Sequence, residues 1–131
     1  MKPFRFVHAA DLHLDSPFKG MASRVPDEIV STLRDATFDA YNRIVSLCLE
    51  KAVDALIIAG DVYDGADRSF KAQYRFIEGL RKLSEKEIAS YICHGNHDPL
   101  DGWQSRLDFP EPCYRFGKDA ESFPLWEDAP G

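Results

Sequence analysis

The chain is 131 residues long and carries a formal charge of −6, from 22 carboxylates against 16 lysines and arginines. That length suits one domain burying roughly two-thirds of the surface its unfolded chain exposes, and a composition 44% apolar and 29% charged excludes disordered and fibrous classes. The longest apolar run, Ala55–Ala59, is far short of the about 20 residues a membrane span needs, and a pI near 5.1 argues against holding nucleic acid by bulk charge alone.

The chain opens Met1-Lys2-Pro3-Phe4-Arg5-Phe6-Val7-His8, broken by charge and without the apolar core of a signal peptide. A cytoplasmic domain is expected, with reduced thiols at Cys48, Cys93 and Cys113 rather than a disulfide framework. The first apolar run, Phe4 to Ala10, reads as a buried strand closing on Asp11. A helix follows, in which Val30, Leu33, Thr37, Tyr41, Ile44, Cys48 and Ala52 recur every three or four positions as one apolar stripe. Pro26, Asp27 and Glu28 suit its first turn, where a missing N–H is harmless and acid meets the positive end of the helix dipole. Ala55 to Ala59 reads as the second strand, closing on Gly60-Asp61. It is apolar on both alternating faces, as a strand covered by helices on each side should be. A second helix is expected from about Ser69 to Ser84, with Phe70, Tyr74, Ile77 and Leu80 inward. Ile88 to Cys93 is the third strand, closing on His94-Gly95-Asn96. Strand–helix–strand–helix–strand implies parallel strands, hence an α/β layered sandwich with a mostly parallel sheet flanked by helices.

After Pro99 the texture changes. Five of the eight prolines and both tryptophans fall in the last 33 residues, and no helical period appears there. Cys113 to Phe116 reads as one more short strand, at the edge of the sheet, in a tail that is otherwise loop.

The residues that close the three strands are not generic turn formers. They are Asp11-Leu12-His13, then Gly60-Asp61-Val62-Tyr63-Asp64, then Gly95-Asn96-His97-Asp98. Parallel strands bring all three groups to the carboxyl edge of the sheet, where open α/β folds place their ligands. Each set mixes hard oxygen donors with imidazole, a combination suited to manganese, iron, zinc or a similar divalent ion. All four histidines, His8, His13, His94 and His97, lie within or close to these motifs. One such histidine would be read as an ordinary core or surface residue; three ordered motifs at three strand ends point to a metal site.

Asp-x-His, Gly-Asp-x-x-Asp and Gly-Asn-His-Asp, in that order, resemble the signature of the calcineurin-like metallophosphoesterases. The longer strings Phe6-Val7-His8-Ala9-Ala10-Asp11-Leu12-His13-Leu14-Asp15-Ser16-Pro17-Phe18 and His94-Gly95-Asn96-His97-Asp98-Pro99 resemble the DNA repair exonuclease branch, with its SbcD-type nucleases and YhaO-like proteins. The resemblance runs from about residue 4 to residue 100 and fades in the tail. It implies metal-dependent phosphodiester hydrolysis with DNA as substrate and two divalent ions as cofactors, manganese foremost and iron, zinc or magnesium as alternatives. It further implies that Asp11 and His13 hold the first ion, that Asp61 bridges both, and that Asn96 ligates the second. His97 would contact the phosphate and help protonate the leaving oxygen, while Asp64 and Asp98 orient His97 and the loops by hydrogen bonds. Two cations about 3.5–4 Å apart neutralise the charge of an in-line phosphoryl transition state, and a bridging carboxylate holds ions that close. The implied partners are an SMC-like coiled-coil ATPase and a second copy of the chain, with no membrane involved.

The family pattern continues with further histidines, including a Gly-His-x-His motif, and this sequence has none after His97. The first ion then keeps Asp11, His13 and Asp61, and the second only Asp61 and Asn96. The expectation is the N-terminal portion of a phosphoesterase domain: residues 1–98 form the motif-bearing βαβαβ part and 99–131 the tail. These residues alone should bind metal weakly and turn over little. Two other readings stand beside this one. The same centre could hydrolyse phosphomonoesters or cyclic nucleotides, or the chain could be a degenerate, non-catalytic module with an incomplete metal site.

Other features carry two readings each. Arg68, Lys71, Arg75, Arg81, Lys82 and Lys86 could track a DNA backbone, but the interleaved Glu78, Glu85 and Glu87 favour a solvated helix face. Asp15, Ser16 and Lys19 follow the first motif and either meet substrate or serve turn chemistry. Cys93 reads as a small core residue rather than a nucleophile, and His8 as buried beneath the site. Trp103, Phe109 and Trp126 offer stacking surfaces for bases or, as tail aromatics more often do, pack against the body.

Overall fold

Strands β1 (Phe6–Ala10), β2 (Ala55–Ala59), β3 (Ala89–Cys93) and β4 (Cys113–Phe116) lie side by side in that order, each parallel to its neighbour, in a computed structural model. The structure describes residues 2–64, 69–93, 108–117, 119–123 and 125. Register is unbroken across the first three strands: Ala10 pairs with Ala59 and Ala59 with Cys93, so β1, β2 and β3 end level with one another. The α/β layered architecture follows from the two crossovers. Helices α1 (Lys19–Ala22) and α2 (Asp27–Lys51) connect β1 to β2, and α3 (Phe70–Ser84) connects β2 to β3.

Both long helices cover the same face of the sheet. Leu56 and Ile58 of β2 and Ile92 of β3 pack there against Phe38, Tyr41, Val45 and Cys48 of α2 and Ala72, Phe76, Leu80 and Leu83 of α3. Each large apolar side chain withdrawn fully from water is worth about 1.5–3 kcal/mol. On the other face Ala55, Ala89 and Tyr91 are covered, among the described residues, by aromatic side chains rather than by a helix. Tyr91 stacks on Tyr114 at 4.9 Å, and Phe123 folds back onto Tyr114 and Phe116. Among the described residues, helices cover β2 on one side.

The α2 stripe faces inward as read, with Phe38 and Val45 buried beside it, whereas the facing of α3 differs from the one read off the apolar spacing. In α2 the buried line is Phe38, Tyr41, Val45 and Cys48. Val30, Leu33 and Ile44 are half-buried, and Ala52 is exposed at the helix end, capping it with left-handed backbone at φ 46°. In α3 Ile77 and Leu80 do point inward, but Phe70 and Tyr74 are 60% and 49% exposed, and Ala72, Phe76 and Leu83 take their place. The reason is close approach of the two helices. The hydroxyl end of Tyr41 abuts Gly79, where an added Cβ would clash with it. That hydroxyl donates to the carbonyl of Phe76 at 2.8 Å. Small residues, not large ones, decide which side of α3 meets α2. Among the described residues no helix is long and apolar enough to cross a membrane.

Candidate metal centre

Past the ends of β1 and β2 the chain keeps its parallel pairing for several residues more. The N–H of Asp11 donates to the carbonyl of Gly60 (3.2 Å), that of His13 to Asp61 (3.0 Å) and that of Leu14 to Val62 (2.9 Å), while Gly60 N–H reaches Cys93 (2.6 Å). The two loops are thus zipped together, with Leu14 and Val62 anchored in the core beneath them. The zipper is not an ordinary ladder. Asp11, His13 and Asp61 all adopt left-handed backbone, at φ 54°, 44° and 46°. Only Gly60, at φ 73°, does so without steric cost. Each non-glycine residue held this way costs on the order of 1–3 kcal/mol and persists because the surroundings over-determine it.

This folding gathers one donor atom from each of Asp11, His13 and Asp61 so that all lie within 4.8 Å of one another. Asp11 is exposed and the other two half-buried, leaving the group open to solvent on one side. Two carboxylates this close repel unless a cation lies between them. With the imidazole they form a mixed oxygen–nitrogen set that fits a divalent ion.

The His13 ring is held from behind. Its Nδ1 meets Oδ1 of Asp64, and Ser16 Oγ donates to Oδ2 of the same carboxylate at 2.5 Å. A proton on Nδ1 shared with a carboxylate leaves Nε2 as the basic nitrogen, the arrangement usual for histidines that ligate metals. Asp64 therefore orients His13 and the first loop; His97, its other expected partner, lies outside the described residues.

Asp15, the sequence-level candidate for substrate contact, is 5% exposed and engaged on both oxygens. Arg34 Nε donates to Oδ1 at 2.8 Å and Ser69 Oγ to Oδ2 at 2.6 Å. Burial alone would raise its pKa; the hydrogen bonds from Arg34 and Ser69 and the charges of Arg34 and Lys71 outweigh it and hold the carboxyl below its ordinary value. Arg34 and Ser69 are not recognisable in the sequence as partners of the loop. Ser69 leaves a signal, standing immediately before an apolar-periodic run as an N-cap does, and its hydroxyl does accept from Ala72 N–H at 3.0 Å. Arg34 leaves none.

Asn96, His97, Asp98, His94, Arg68, Trp103 and Trp126 lie outside the described residues. Two smaller expectations are corrected. His8 is exposed, because it points from edge strand β1 to the sheet face that no described helix covers. Cys93 is also exposed, at the last position of β3 where the core has ended. Phe109 packs edge-on against Phe76 at 6.4 Å with Arg115 over its ring, the packing role rather than the base-stacking one. Of the described basic residues on α3, Lys71 lies 3.7 Å from Asp35 and Arg81 pairs with Glu78 one turn back, in keeping with a solvated face.

A family model described as calcineurin-like phosphoesterase matches residues 4–130. A Bacillus subtilis protein called uncharacterized metallophosphoesterase YhaO is 39% identical over 111 residues, which are 85% of this chain and 27% of that protein. The DNA double-strand break repair protein Mre11 of Methanopyrus kandleri is 30% identical over 94 residues (72% of this chain, 19% of its own). A subunit of the nuclease SbcCD of Rhodobacter capsulatus is 30% identical over 115 residues (85% and 24%). The chain thus spans less than a third of the length of each of these relatives.

Proposed function

The chain belongs to the calcineurin-like phosphoesterase family, and from that premise we propose that it supplies the N-terminal part of a metal-dependent phosphodiesterase site acting on DNA. The observation that carries this reading is the convergence of Asp11, His13 and Asp61 within 4.8 Å on strained, zipped loops at the carboxyl edge of the sheet. DNA as substrate is supported by the relatives named as a nuclease subunit and as a double-strand break repair protein.

In this reading Asp11, His13 and Asp61 would hold one divalent ion, and Asp61 and Asn96 would hold a second. Divalent ions bound there, manganese foremost, supply Lewis acidity toward the phosphate ester. The protein's own groups do the rest. Asp64 keeps the Nδ1 proton of His13 in place, so that Nε2 stays an electron-pair donor. His97 contacts the phosphate and gives a proton to the leaving oxygen, and Asp98 orients it. An SMC-like coiled-coil ATPase and a second copy are the partners of this reading, in the cytoplasm. Three converging donors and one amide oxygen make a short ligand set for two ions, so these 131 residues alone bind metal weakly and turn over little.

The test is hydrolysis of a DNA oligonucleotide by the whole protein with Mn²⁺, beside His97→Ala and a chelator control. Loss of activity in the variant and with chelator is expected. Full activity in the presence of excess chelator overturns the reading.

A further inference from the structure

We infer that Asp15 is a positioning residue, which holds the loop carrying Asp11 and His13 against α2 and α3 in the conformation that brings the three donors together. The inference rests on the reading of Asp11, His13 and Asp61 as metal ligands.

The geometry is a closed ring of bonds. Asp15 N–H donates to Thr37 Oγ1 (2.9 Å), the Thr37 hydroxyl donates to the carbonyl of Arg34 (2.6 Å), and Arg34 Nε returns to Asp15 Oδ1 (2.8 Å). Outside the ring, Ser69 Oγ donates to the second carboxylate oxygen (2.6 Å). One residue of the first loop is thereby fastened to α2 through its main chain and its side chain. It is also fastened to the N-cap of α3, the element that follows the Asp61–Asp64 loop in the chain.

The loop needs such a fastening. Asp11, His13 and Asp15 are left-handed at every second position, φ 54°, 44° and 59°, a run that L-residues do not hold unaided. The zipper to Gly60, Asp61 and Val62 fixes the loop on its sheet side as far as Leu14. Asp15 is the next residue, and it fixes the loop on the helix side. Its neighbour Ser16 bonds Asp64, which in turn holds His13. Removing the Asp15 bonds frees the segment from which both His13 and its support hang, without removing a donor atom. Support of this kind is worth about ten-fold or more in metal affinity.

The test uses the 131-residue chain, labelled for NMR and titrated with Mn²⁺, whose paramagnetism broadens signals close to the bound ion. The unsubstituted chain should show selective broadening at Asp11, His13 and Asp61. In Asp15→Asn the Mn²⁺ concentration for half-maximal broadening at Asp11 and Asp61 should rise about ten-fold, and Arg34→Gln, which leaves Asp15 in place, should move it the same way. Val45→Ala, a core truncation away from the loop, serves as the control for general destabilisation and should leave that concentration unchanged. Broadening in Asp15→Asn and Arg34→Gln identical to the parent overturns the positioning role alone, as does an equal shift in Val45→Ala. No selective broadening in the unsubstituted chain overturns the metal reading and this inference with it.

Discussion

Asp64 and His13 stand 51 residues apart in the chain and meet side chain to side chain, the carboxylate of one on Nδ1 of the other. The pairing is a consequence of sheet register. β1 and β2 run in parallel, their following loops are zipped residue to residue, and the motif spacing Asp-x-His against Asp-x-x-Asp then brings the last aspartate alongside the histidine.

Asp64→Asn tests what that contact does. An asparagine is uncharged and presents an NH2 on one of its two faces, so it no longer fixes the proton on Nδ1 as an acceptor-only carboxylate does. Mn²⁺ affinity at the Asp11–His13–Asp61 group should fall about 10- to 100-fold, while the melting temperature changes little. A calorimetric titration giving parental affinity would show that Asp64 does not set the ring.

Gly79→Ala tests the contact between α2 and α3. By helix propensity alone, alanine in place of a mid-helix glycine stabilises by about 1 kcal/mol. Here the new methyl would lie 2.4–2.6 Å from three atoms of the Tyr41 ring and hydroxyl. Overpacking of this kind costs about 1–3 kcal/mol, so the thermal midpoint should fall. A rise would mean that Tyr41 moves aside freely.

The facing of α3 predicts a contrast. Replacing exposed Phe70 or Tyr74 by serine should change stability by about 0.5 kcal/mol or less. Phe76→Ala, at a position 2% exposed between Tyr41, Tyr63 and Phe109, should cost about 3–5 kcal/mol. Urea denaturation of the three variants decides it, and equal losses would favour the phase read from apolar spacing.

That contrast also marks what the sequence conveys and what it does not. Short apolar runs ending in Asp, Gly and His are enough to place the strands and to gather Asp11, His13 and Asp61 at one edge, because parallel register does the gathering. The facing of α3 is not legible. Phe70, Tyr74, Phe76 and Ile77 spread apolar surface over more than one face, and the deciding contact involves Gly79, which no count of large apolar residues weights. The exposure of His8 is hidden because burial on β1 depends on which sheet face the helices choose. The role of Asp15 is hidden because its partners, Arg34 and Ser69, lie 19 and 54 residues away in the chain. Thr37 looks like part of an apolar stripe, yet its hydroxyl is what the loop uses.

Asp54 supplies a pH dependence. The Arg5 backbone N–H, bonded to its carboxylate at 2.8 Å, and the Lys2 and Arg5 charges hold its pKa below the ordinary 3.8 despite an opposing effect of burial. A depressed folded-state pKa means the stabilisation is present above pH 3.8 and is lost as pH falls through the lower folded value. Asp54→Asn should therefore be less stable than the parent at pH 7, and the gap should shrink below about pH 4. Urea midpoints measured at both pH values check this; a gap that stays constant would mean the carboxylate charge contributes nothing.

The central claim is that Asp11, His13 and Asp61 form a divalent-metal site. The most direct measurement is anomalous scattering at the manganese edge from crystals of the chain grown with Mn²⁺. The expected result is a peak bonded to carboxylate oxygens of Asp11 and Asp61 and to Nε2 of His13. Ordered loops at saturating Mn²⁺ with no peak among these three residues would contradict it.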